Sequence, residues 1–71
     1  MKIIYVRLLD EGTTVYRPVP ATFIKNETYR LGLPKDHYST DENWEFPTGG
    51  IVRVEKKILN GIEELVAVSL D

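Results

Sequence analysis

A chain of 71 residues, 42% hydrophobic and 28% charged, supports one domain whose folding buries only about 60% of the surface of the unfolded form; it lies well away from the compositions that stay disordered. With no cysteine, neither a disulfide framework nor a thiolate metal site can staple so thin a core. A net charge of −2 and a pI near 5.3 give no long-range attraction to phosphate backbones or anionic lipid.

Lys2 to Leu9 is rich in β-branched and aromatic residues with no helix cap before it, which predicts a first strand. Asp10-Glu11-Gly12 supplies turn chemistry, and Thr13 to Val19 reads as a second strand. With those three residues as the loop, Val6 faces Tyr16, Leu8 faces Thr14, Tyr5 faces Arg17, and Gly12 takes positive φ. Ile4, Val6 and Leu8 then line the core, while Arg17 lies along the Tyr5 ring on the opposite face. Pro18 and Pro20 cannot donate to a ladder, so the strand is expected to fray, or to lie at an edge, beyond Arg17.

Ala21 to Lys25 and Thr28 to Leu33 predict two short strands around Asn26-Glu27, followed by a polar, aperiodic stretch from Pro34 to Asn43 that reads as a loop. Trp44-Glu45-Phe46 resumes an apolar alternation, and Pro47-Thr48-Gly49-Gly50 predicts a turn into Ile51. A last hairpin joins Ile51–Ile58 to Ile62–Leu70. A two-residue Asn60-Gly61 turn would pair Val54 with Ala67 and Arg53 with Val68, mixing polarity on both faces. A three-residue loop, Leu59-Asn60-Gly61, pairs Val52 with Val68, Val54 with Val66 and Lys56 with Glu64, and is the expected register. Five to six short strands of this kind predict an all-β domain, a small antiparallel SH3-like barrel or a strongly bent sheet. The turn from Trp44 into Val54 resembles strand entry in SH3-like barrels, at the level of fold alone.

The run Tyr5-Val6-Arg7-Leu8-Leu9-Asp10-Glu11-Gly12-Thr13-Thr14-Val15-Tyr16-Arg17-Pro18-Val19-Pro20-Ala21, with the later Trp44-Glu45-Phe46 and Gly49 to Arg53, resembles a family of short uncharacterised bacterial proteins. It covers about the first third of the chain and the Trp44 region. The resemblance implies no activity and carries over no functional residue.

Chemistry is sparse. His37 is the sole histidine, which removes His–His metal pairs. Asp36, Asp41, Glu42 and Glu45 are acidic neighbours whose spacing departs from a calcium loop. Ser39 and Ser69 stand in no nucleophile elbow, and Gly49-Gly50 precedes no phosphate-loop lysine. A domain this small is also expected to enclose no pocket of several hundred Å³. These features predict no enzyme, no cofactor and no metal.

The opening residues lack the form of a secretory signal, no stretch nears the ~20 apolar residues of a membrane helix, and a cytoplasmic location is expected. The remaining reading is a protein-interaction or accessory module, with Tyr5, Arg17 and Trp44 as its anchors, Trp44 being equally suited to fill the core as its largest residue, or homodimerisation through an edge strand. The second reading is nucleic-acid binding, with Arg7, Arg17, Arg30 and Arg53 on phosphates and Tyr5, Tyr16, Tyr29, Tyr38 and Trp44 as stacking residues.

Overall fold

Alternation fixes the first element: along β1 (Lys2–Leu9), Ile4, Val6 and Leu8 are buried while Ile3, Arg7 and Leu9 are exposed, the period of a strand with one face on a core. The computed structural model describes residues 2–33 and 43–70. Within them the remaining elements are β2 (Val15–Lys25), β3 (Thr28–Leu31), β4 (Asn43–Trp44), β5 (Ile51–Leu59) and β6 (Ile62–Val68). The domain is all-β, as the strand pattern implies. Its hydrogen bonding runs β1–β2–β3–β5–β6 and returns to β1, closing a ring, with β4 attached at the end of β1. Neighbours are antiparallel except where β6 meets β1, in parallel, at the single pair Tyr5 and Val66.

Every strand of the ring contributes to the interior: Ile4 and Val6, Val19 and Ala21, Tyr29 and Leu31, Val52 and Val54, and Ala67 form one buried cluster. Each large aliphatic side chain removed from water there contributes about 1.5–3 kcal/mol. Trp44, Phe46 and Leu65 pack against the cluster from its margins.

The first hairpin differs from expectation by one residue. Leu8 pairs with Val15, Val6 with Arg17 and Tyr5 with Pro18, so the connection is longer than three residues, and Asp10 (φ 61°), not Gly12, takes the left-handed conformation. The cause lies on the other edge of β1, where Leu9 pairs with Asn43 and the Asn43 side-chain amide donates to the Asp10 carboxylate at 2.8 Å. These contacts hold Leu9 in the sheet and tie Asp10, just past its end, to β4. Directly opposed residues share a face, so the shift brings Arg17 to the inner face beside Val6 and sends Tyr16 to the outer face with Tyr5.

Nor does the second strand fray. It runs unbroken through Pro18 and Pro20 into Lys25, merging what the sequence suggests are two strands. The Pro20 carbonyl accepts from Gly32 N–H at 2.8 Å, so residues of its parity turn their backbone polar groups away from β1. The N–H that Pro18 lacks would therefore point to the edge where no described strand pairs with Val15–Val19. No ladder bond is lost, and the edge alternative is the one that holds.

The last hairpin closes through the two-residue turn, contrary to the expected three-residue loop: Leu59 pairs with Ile62 and Val54 with Ala67. Asn60 (φ 52°) and Gly61 (φ 81°) are both left-handed, the backbone of a type I′ turn, whose twist matches that of the strands. Mixed polarity is no obstacle, because only the near half of the hairpin is packed. Residues 55–58, 62 and 63 are exposed on both faces, and a ribbon solvated on both sides does not select a register by polarity. Before β5, Gly50 N–H closes a turn onto the Pro47 carbonyl at 3.0 Å with Gly49 at φ 86°. The pairs Leu31–Gly50 and Gly49–Leu31, 2.9 and 2.8 Å between backbone N and O, carry the β3–β5 contact into that turn.

Candidate functional site

The structure separates the three anchors suggested by sequence. Tyr5 is half-buried on the outer face, opposite Pro18. Arg17 is half-buried on the inner face, opposite Val6, with its Nε atom buried. Trp44, opposite Leu8, belongs to the same inner face and packs half-buried against the core. Arg17 and Trp44 therefore share a face that Tyr5 does not.

What gathers around Tyr5 instead is a groove of about 560 Å³ on the outer face. Tyr5 and Tyr16 come from β1 and β2, where they are diagonal neighbours across the ladder. Leu59, Ile62 and Glu64 come from the β5–β6 hairpin, whose ladder places all three on the face of Val66. That face is continuous with Tyr5, because Tyr5 and Val66 are the pair at which β6 meets β1. A single pairing lets the strands diverge at once, and the far half of the hairpin forms the other wall. Val66 is 2% exposed although it belongs to the outer face, so the groove floor is already packed. Its rim is apolar, with Ile62 at 61% exposure.

The charge in the groove is one-sided. Glu64 is half-buried and is its single ionisable carboxylate. Lys57 stands across the ladder from Glu64, and Arg7 across from Tyr16, yet neither lines the groove. Among the described residues the Glu64 side chain has no hydrogen bond or ion pair; the outer-face pair that does form is Arg53 with Glu55, 3.1 Å apart and solvated. A second concavity, about 570 Å³, opens between the β2–β3 turn and β5, lined by Glu27, Glu55 and Lys56 around Tyr29 and Leu65. It carries both signs of charge. Both concavities are open to solvent rather than enclosed, so neither is the closed pocket that so small a domain is expected to lack.

The four arginines proposed for phosphate do not converge. Arg17 faces inward, Arg30 and Arg53 are outer-face residues of β3 and β5, and Arg7 on β1 is separated from those strands by β2 on one side and β6 on the other. Of the aromatics, Tyr5 and Tyr16 meet, whereas Tyr29 is buried in the core. Asp36, His37, Tyr38, Ser39, Asp41 and Glu42 lie outside the described residues. Among the described residues no group of three His, Cys, Asp or Glu side chains is placed to hold a metal ion, and no helix is long and apolar enough to cross a membrane.

Ile62 and Glu64 escaped the sequence reading, and Tyr16, named there only as a stacking residue for nucleic acid, was placed on the core side, because both hairpins were set one residue out of register. The signal that finds Ile62 and Glu64 is Asn60-Gly61 itself: taken as a type I′ turn, it puts Leu59, Ile62, Glu64 and Val66 on alternate, facing positions of one side. No family model, curated protein or solved structure matches the chain.

Proposed function

We propose that this domain is a non-catalytic interaction module that docks a protein partner in the outer groove. The observation that carries this reading is the meeting of Tyr5 and Tyr16 with Leu59 and Ile62 in an open concavity within the ~300–1,000 Å³ range of ligand sites. Aromatic side chains beside exposed aliphatics are the composition of interface anchors. The absence of a nucleophile motif and of a second histidine in the sequence supports a non-catalytic role.

The test is capture from lysate of the source organism, after nuclease treatment, with the tagged wild-type domain and with Ile62→Glu. Ile62 is largely exposed, so the variant folds, which its melting curve verifies. A protein retained by the wild type and lost with Ile62→Glu supports the reading. Recovery that is indifferent to the substitution, or that vanishes with nuclease, contradicts it.

A further inference from the structure

We infer that the segment docked in the outer groove presents a lysine or arginine side chain between Tyr5 and Tyr16, with Glu64 as its counter-charge. This rests on the docking reading above and names the chemistry of the partner.

Glu64 brings a charge into a groove otherwise lined by neutral groups, chiefly the Tyr5 and Tyr16 rings and the aliphatic side chains of Val15, Ile58, Leu59 and Ile62. A half-buried carboxylate loses hydration without compensation unless a donor reaches it. None does among the described residues, although Lys57 is its cross-strand neighbour. Of the two concavities described, this one carries carboxylate charge alone, whereas the second is lined by Lys56 together with Glu27 and Glu55, so a partner's cation meets a carboxylate here with no protein cation in the same lining. Tyr5 and Tyr16 add ring faces over which an ammonium or guanidinium is attracted within about 6 Å. The aliphatic stem of such a side chain matches Leu59 and Ile62, so long cationic residues satisfy both halves of the lining. The surrounding Thr14 and Asn60 supply polar groups for the partner's backbone.

The probes are acetyl-Leu-Arg-Leu-amide and its citrulline counterpart, which keeps the shape but removes the charge and replaces one donor NH2 group with a carbonyl oxygen. Each is titrated into the intact domain while the backbone amides of Tyr5, Tyr16, Ile62 and Glu64 are followed by NMR. Saturable shifts at these positions, with the arginine peptide binding about tenfold more tightly, are the expected result, since a charge-assisted contact contributes about that factor. Glu64→Gln, near-isosteric and folded by its own spectrum, should bring the two peptides level. Equal affinities for wild type, still mapping to the groove, overturn the cationic inference and leave docking standing. Shifts that map elsewhere, or none with either peptide at millimolar concentration, overturn both.

Discussion

Replacing Asn60 by alanine and, separately, by glycine separates the observed turn from its rival by the order of stabilities. In the type I′ turn Asn60 sits at φ 52°, a conformation that costs a residue with a Cβ roughly 1–2 kcal/mol and that asparagine tolerates better than alanine. The side chain is exposed, so packing does not contribute. Asn60→Ala should therefore cost about 1 kcal/mol. Asn60→Gly, which relieves the left-handed strain but adds freedom to the unfolded chain, should come out near zero. For a domain of 60–100 residues, 1 kcal/mol moves Tm by about 4–8 °C, well resolved by thermal unfolding followed in the far ultraviolet. A three-residue loop would instead hold Asn60 at negative φ, making alanine neutral and glycine the costly change. If Asn60→Ala proves as stable as wild type and Asn60→Gly the weaker, the turn assignment is refuted. With it would go the facing of Glu64 and Ile62 into the groove.

Ile4 is fully buried in the shared cluster, and Ile4→Ala should lose about 2–5 kcal/mol. Set against roughly 4–11 kcal/mol for a chain of 71 residues, that is a large share of the stability and should lower the urea midpoint markedly, whereas Ile62→Ala at the groove rim should stay within about 0.5 kcal/mol of wild type. Pro18→Val restores an N–H to the unpaired stretch of β2 and should increase self-association; unchanged sedimentation at high concentration would count against proline as the guard of that edge.

How far the sequence speaks depends on where one face is dry. Ile4, Val6 and Leu8 were legible as core because their alternation is uninterrupted and the strand is packed along its length. The two registers were not, for different reasons. In the first hairpin the loop is lengthened by Asn43, 33 residues from Asp10, a contact that no local pattern announces. In the second, the pattern of Glu55 to Glu64 was treated as if both faces were constrained, when that part of the ribbon is largely solvated; local turn chemistry at Asn60-Gly61 was the better guide. Arg17 was read as a surface anchor from residue type, and its inward facing follows from the same one-residue shift; Trp44, open between anchor and core filler in the sequence, is settled toward the core by its pairing with Leu8. The groove was therefore invisible to the sequence as a site, although Tyr5 and Tyr16, two residues of its lining, were each named.

The most direct test of the docking groove is site-specific photo-crosslinking. A benzoylphenylalanine is placed at Tyr16, inside the groove, or at Arg30, which is exposed on β3 away from it, and each variant is illuminated with the captured partner. The groove account predicts a covalent adduct from position 16 and none from position 30. An adduct from position 30 with none from position 16 would place the partner on another face and contradict it.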